Sequence, residues 1–239
     1  MRVIITGSTG MVGEGVMLEC IQNKNVTEIL LLNRKPSGHT SPKVKEIIVS
    51  DFMALDGIKN QLANFDACFF CAGISSVGLK EEAYRHITYE ITMHVARTLS
   101  SINSAMTFIY VSGSGTDSSE KGKLMWARVK GKTENDLTKL PFKAVYNFRP
   151  GIMKSTPGQK NIKWGFKIID ALYPMLNFLF PSFVSTLQEL ALAMIHLIIK
   201  PYESSTIEVK DIKILAIQNQ LIDKELSIYF YNFNHRIND

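Results

Sequence analysis

Gly7, Gly10 and Gly13 stand at three-residue intervals in Gly7-Ser8-Thr9-Gly10-Met11-Val12-Gly13, directly after the apolar run Arg2-Val3-Ile4-Ile5-Thr6. That order reads as buried strand, tight turn and helix, and its chemistry is anion binding. Gly7 permits the turn, Gly10 admits a pyrophosphate against the backbone, and Gly13 lets the new helix pack close to the sheet. The helix N-terminus then turns free N–H groups and the positive end of its dipole toward the phosphates. Every residue from Gly7 to Gly13 is therefore a candidate nucleotide contact.

A second cluster, Asn33-Arg34-Lys35, ends the apolar run that begins at Glu28. Dinucleotide folds place an acidic side chain there, about 20 residues past the glycines, to hold the ribose hydroxyls of NAD. A carboxylate would repel a 2′-phosphate, whereas a guanidinium grips one through two charge-assisted hydrogen bonds. The expectation is NADP(H) in preference to NAD(H). The plainer alternative is that Arg34 and Lys35 solvate a surface loop ahead of the Pro36-Ser37-Gly38 turn.

These groups meet only if the chain brings them to one edge of a sheet. Apolar runs predict further strands at Lys45–Val49, Ala67–Cys71, Met106–Ser112 and Ala144–Arg149. Helices are expected over Met11–Cys20, near Leu55–Asn64, over Lys80–Ser100 and over Leu124–Leu140. Strands separated by helices of this length need crossovers, so the fold class is α/β with a doubly wound, mostly parallel sheet. Ligands bind beyond the carboxyl ends of such strands. The residues there are Asp51-Phe52, with Asp51 placed to meet an adenine amino group, then Cys71-Ala72-Gly73, Ser112-Gly113-Ser114 and Arg149-Pro150-Gly151. The register leaves both Ser112 and Ser114 as candidates at the reacting end.

A chain of 239 residues suits one such domain with a modest elaboration. Residues 1–151 read as the nucleotide-binding core, 152–216 as a small C-terminal helical cap and last strand of the same domain, and 217–239 as an aromatic tail of unassigned role. The net charge of +5 comes from dispersed lysines, without the basic runs and interleaved aromatics of a nucleic-acid binder. Three cysteines and no secretion signal point to the cytoplasm. Cys68 and Cys71 lie on an apolar run and read as core thiols, and the scattered histidines suggest no metal site. The segment from Lys163 to Phe180 is aromatic and broken by Pro174, which makes it a lid rather than a membrane span. Such late aromatics suit a homodimer, a protein partner or a peripheral membrane contact, and Ser227–Phe233, an aromatic run suited to a strand, is open to pairing with a sheet edge, joining a dimer or remaining a loosely ordered tail. Thr186 with Glu189 reads as a capping box, and His196 as a satisfied core histidine.

The glycine loop, Cys71-Ala72-Gly73, Ser112–Ser114, Lys130 within Trp126-Ala127-Arg128-Val129-Lys130-Gly131, and Phe148-Arg149-Pro150-Gly151 together carry a resemblance. Over roughly residues 1–216 the chain resembles an atypical short-chain dehydrogenase/reductase. More narrowly it is similar to the epimerase-like branch that includes the Tat-interacting, NADPH-binding tumour-suppressor type. The resemblance implies a Rossmann fold. It also implies a serine, Ser112 or Ser114, that orients a substrate carbonyl, and a lysine, Lys130, that holds the nicotinamide ribose. The proton-donating tyrosine of that family falls at Trp126, and an indole N–H is no usable acid near neutral pH. Thr88 stands where many relatives extend the proton path with asparagine. Three accounts remain open, the last of them a purely structural role with no nucleotide bound. One is an NADP-dependent oxidoreductase or epimerase acting on a small carbonyl or sugar-type substrate, its proton coming from Ser112, Ser114, water, Tyr84 or Tyr89. Another is a catalytically silent NADPH-binding regulatory or interaction module.

Overall fold

The computed structural model describes residues 1–162 and 164–221. In chain order it forms β1 (Arg2–Thr6), α1 (Met11–Gln22), β2 (Glu28–Asn33), β3 (Val44–Ile48), α2 (Lys59–Leu62), β4 (Ala67–Phe70), α3 (Glu81–Arg85), α4 (Ile91–Ile102), β5 (Thr107–Val111), α5 (Met125–Leu137) and β6 (Ala144–Arg149). Then follow β7 (Ile152–Lys154), α6 (Trp164–Leu179), β8 (Val184–Thr186), α7 (Leu187–Ile199), β9 (Thr206–Glu208) and a helix α8 over 209–221. The main sheet has seven strands in the order β3-β2-β1-β4-β5-β6-β9. Every pairing in it is parallel.

Strand alternation explains the layering. On β1, Val3 and Ile5 join the core beneath α1 and α7, whereas Ile4 faces the opposite core with Leu99 of α4 and Leu137 of α5. Buried on both faces, β1, β2, β4 and β5 read as continuous apolar runs instead of alternating ones, whereas the edge strand β3 is only partly buried. Gly15 lets α1 approach α7, since a β-carbon there would stand 2.5 Å from the Leu187 side chain. The strand order reverses at β1, between β2 and β4, and ligands of such sheets bind at the carboxyl edge of that switch point.

The strand expectations agree with the structure to within two residues. The helices differ more. The stretch expected as one helix over Lys80–Ser100 is broken by a π-helical turn at His86–Glu90 between α3 and α4. There the Thr92 hydroxyl donates back to the Thr88 carbonyl at 2.7 Å, the kind of local bond that bends a helix. Near Leu55–Asn64 only a 3-10 turn (Asp56–Ile58) and the short α2 form, with the poor helix former Gly57 in the first turn. Strands β7 and β8 pair as a separate parallel ribbon, too short for any periodicity to announce. The Thr186–Glu189 capping box is present in full. His196 is buried, as expected, but its Nδ1 has no hydrogen-bond partner among the described residues. Among the described residues no helix is long and apolar enough to cross a membrane. The aromatic run Ser227–Phe233 lies outside the described residues.

Candidate functional site: a two-part cleft above the glycine loop

The turn after β1 is built to the tolerance of a hydrogen atom. Gly7 adopts φ of 71°, and a methyl there would lie 2.7 Å from the Ala72 backbone. A β-carbon on Gly13 would lie 2.3 Å from the Gly7 carbonyl oxygen. Gly10 closes the turn by donating its N–H to the Gly7 carbonyl at 2.9 Å. Ser8 is buried and fixed from β2: its N–H donates to Asn33 Oδ1 at 3.2 Å, and its Oγ accepts from Asn33 Nδ2 at 2.6 Å. Asn33 Nδ2 also donates to Glu46 Oε1 at 2.8 Å. Asn33 therefore lines the cleft with an amide already committed to holding the loop.

One part of the cleft, about 460 Å³, lies between Gly7, Thr9, Gly10, Phe52, Cys71-Ala72-Gly73 and the Asn33-Arg34-Lys35 segment. Phe52 is a buried wall. Arg34 and Lys35 are exposed and make no ion pair among the described residues, so their charges are free to meet an anion. Asp51 does not line this part; its carboxylate accepts the Met53 N–H at 2.8 Å and caps a turn.

The other part, about 490 Å³, is lined by Met11, Val12, Ala72, Gly73, Ser112, Gly113, Lys130, Pro150, Gly151, Phe166 and Ile169 among others. Lys130 Nζ donates to the Ser112 carbonyl oxygen. Burial pulls its pKa down to about 8, against the upward pull of the Glu134 carboxylate one turn along α5. The Ser112 hydroxyl turns inward, donating to Glu134 Oε1 at 2.5 Å with the Phe148 carbonyl 3.0 Å away. Ser114 donates its N–H to the Pro150 carbonyl at 2.9 Å and does not line this part. Nor does Trp126, whose indole stands against Gly115.

The remaining candidates lie elsewhere. Tyr84 is buried, and desolvation raises its pKa; the Tyr89 hydroxyl donates to Asp136 at 2.8 Å. Neither tyrosine lines the cleft, which removes these two from the proton sources that the enzymatic account left open. Thr88 is buried within the π turn, outside the lining. Pro150 and Gly151 form part of the wall, but the Arg149 guanidinium points away, to Glu134 at 2.5 Å, Ser118 at 2.5 Å and Glu208 at 3.3 Å. Glu134 was not anticipated, although its place four residues after Lys130 on one helix face was a signal. Cys20 and Cys71 pack on one side of the sheet and Cys68 on the other, and burial pushes the Cys71 thiol up to about 12. No metal-holding group of three His, Cys, Asp or Glu side chains occurs among the described residues.

Residues 3–123 match the model of the NAD dependent epimerase/dehydratase family, just over half of the chain. The chain belongs to this family. Its cradle at Gly7 and Gly13, where any β-carbon would clash, fits the nicotinamide dinucleotide that the family uses. The epimerase/dehydratase fold is also that of MoeE5 in complex with UDP-glucose and NAD, at a TM-score of 0.62 and 13% identity over 89% of this chain and 79% of that one. ADP-L-glycero-D-manno-heptose-6-epimerase of Helicobacter pylori gives a TM-score of 0.63 and 14% identity over 91% and 81% of the two chains. Among curated relatives, Protein FMP52, mitochondrial, of Meyerozyma guilliermondii is 25% identical over 215 residues, covering 87% of this chain and 90% of its own. The Leucinostatins biosynthesis cluster protein T of Purpureocillium lilacinum is 24% identical over 235 residues, covering 83% and 85%. The mitochondrial names of the FMP52 relatives, including that of Debaryomyces hansenii, overturn the cytoplasmic expectation.

Proposed function

We propose that the chain is an NADP(H)-dependent oxidoreductase acting on a small carbonyl or sugar-type substrate, with the Lys130 ammonium as the proton donor. The observation that carries this reading is the composition of the 490 Å³ part of the cleft, where Lys130 and Cys71 are the ionisable lining groups. A thiol at about 12 is mismatched to neutral pH, whereas an amine at about 8 is well matched. One Lys130 N–H is held by the Ser112 carbonyl, and the ammonium's other donors remain for a substrate oxygen. A nicotinamide dinucleotide held by the glycine loop would supply the hydride that the carbonyl carbon takes up. Lys130 gives its proton to the carbonyl oxygen, an alcohol leaves, and the neutral amine takes a proton back from water. Gly113, Pro150, Phe166 and Ile169 keep the surroundings small and largely apolar.

Reduction requires the charged form of Lys130, which is the form present below its pKa. The single-turnover rate of carbonyl reduction by NADPH should therefore be level at pH 6 to 7 and fall about tenfold per pH unit above about 8. Lys130→Arg, which keeps a cation but cannot release its proton, should still bind NADPH yet lose turnover about 10²-fold or more. A flat profile to pH 9.5, or an active Lys130→Arg, would remove Lys130 from this role. The inward-turned Ser112 hydroxyl and Trp126 at the tyrosine position favour a second reading, a silent NADPH-binding module. Tight NADPH binding without turnover of any carbonyl that binds would select it.

The preference for NADP(H) rests on the exposed, unpaired Arg34 and Lys35 at the rim of the 460 Å³ part. Arg34→Asp exchanges a 2′-phosphate ligand for a repelling carboxylate. The ratio of NADPH to NADH affinity, measured by calorimetry, should fall by about 10²-fold, since each lost charge-assisted bond is worth roughly 1.5–3 kcal/mol.

A further inference from the structure

Glu14, in the first turn of α1, is buried without exposed surface although it carries a carboxylate. Its oxygens accept the N–H of Lys160 at 2.7 Å and of Asn161 at 2.8 Å, and His39 Nε2 lies 2.8 Å away. Burial alone would raise its pKa; the two amides and the His39 ring outweigh that and hold it below the ordinary carboxylate value. The same distant segment is tied down twice more. Gln159 Nε2 donates to the Met11 carbonyl at 2.7 Å, and the Thr156 hydroxyl donates to Glu19 at 3.0 Å. Lys160 Nζ then crosses to the Gly38 carbonyl at 2.9 Å, on the loop that follows Arg34 and Lys35. Residues 156–161 thus lie across α1 and reach the loop beyond β2.

Between this segment and the glycine loop is a further cavity of about 770 Å³, with Thr9, Gly10 and Met11 on one side and Lys160, Asn161 and Ile162 on the other. The helix N-terminus that faces it attracts anions. A bare carboxylate within the first turn would oppose them. Here its charge is taken up by the segment's amides and His39, while Lys160, an exposed residue of the cavity lining, carries its ammonium to the Gly38 carbonyl. Its present acceptor, Gly38 O, is a neutral carbonyl that an ionised phosphate oxygen outcompetes.

We propose that residues 156–162 form a strap over the diphosphate of the bound dinucleotide, with Lys160 supplying a countercharge and Glu14 acting as the positioning residue that holds the strap in place. The occupant is any nucleotide bridged by a diphosphate, and the proposal rests on the nucleotide-binding reading of the cleft. ADP-ribose, which carries the diphosphate, and 2′-AMP, which carries only the 2′-phosphate, separate the strap from the Arg34 loop. By calorimetry, Lys160→Ala should weaken ADP-ribose about fivefold and leave 2′-AMP unchanged, and Lys160→Arg should restore ADP-ribose affinity. Glu14→Gln keeps one acceptor and loses the other, so it should weaken ADP-ribose by a similar factor and speed NADPH release in stopped flow. An ADP-ribose affinity unchanged in Lys160→Ala, in a protein that still binds NADPH, overturns the strap alone. A wild-type protein that binds neither NADPH nor ADP-ribose overturns the strap together with the nucleotide reading.

Discussion

Gly13→Ala is expected to yield a folded protein that no longer binds the dinucleotide. The new methyl would lie 2.3 Å from the Gly7 carbonyl oxygen and 2.6 Å from its carbon, and both are backbone atoms that no side-chain rotation can move aside. The first turn of α1 must therefore back away from β1, taking with it the N–H groups that face a diphosphate. Losing two such charge-assisted bonds corresponds to at least about 10²-fold in affinity. The accompanying stability loss should be that of an overpacked contact, about 1–3 kcal/mol, which leaves the sheet intact. Gly57→Ala is the control, because a β-carbon there meets nothing within 4 Å and Gly57 is not part of the cleft lining. Calorimetry with NADPH and far-ultraviolet circular dichroism on both variants check the expectation. Binding by Gly13→Ala within a few-fold of wild type would mean that the glycine loop is not the phosphate cradle.

The glycine loop was legible because its information is local: a β-branched strand, a turn that only glycine can make, and a helix that starts at once. The doubly wound sheet was legible for a related reason, since its central strands are buried on both faces and stand out as short apolar runs between longer segments. What the sequence could not disclose is where polar side chains are committed once the strands align. Asn33, Ser112 and Arg149 all end strands at the cleft edge, yet each turns its side chain to a protein partner, to Ser8, Glu134 and Glu134 respectively. Those partners come from other elements, 15 to 25 residues away, and their direction depends on register and helix rotation. Glu14 is illegible for the same reason. On a helix beginning Met11-Val12-Gly13 it reads as an ordinary first-turn acid, and only the return of the chain at Lys160 and Asn161 buries it. Neither does any residue name a compartment.

The largest loss of stability should come from Glu134→Ala. The carboxylate is almost wholly buried and accepts from Arg149 Nε at 3.0 Å, from Arg149 Nη2 at 2.5 Å and from the Ser112 hydroxyl at 2.5 Å. It thereby joins α5 to the ends of β5 and β6, and through the Arg149–Glu208 contact to β9. Removing it leaves the guanidinium short of its main partner in a site where water has little access. A broken buried pair of this kind costs about 3–5 kcal/mol, with the lower end expected here because Ser118 and Glu208 still accept from Arg149. Urea unfolding should show that loss in Glu134→Ala. The double variant Glu134→Leu with Arg149→Leu should recover a large part of it, since it buries neither charge unpaired. The cleft should respond as well. Lys130 loses the upward pull of Glu134, so its pKa should drop below about 8 and the falling limb of the rate profile should move to lower pH. If Glu134→Ala unfolds too readily for kinetics, Glu134→Gln keeps the volume and one acceptor while removing the charge, and the same displacement of the profile is expected. An unmoved profile in Glu134→Gln would mean that the titrating group in turnover is not Lys130.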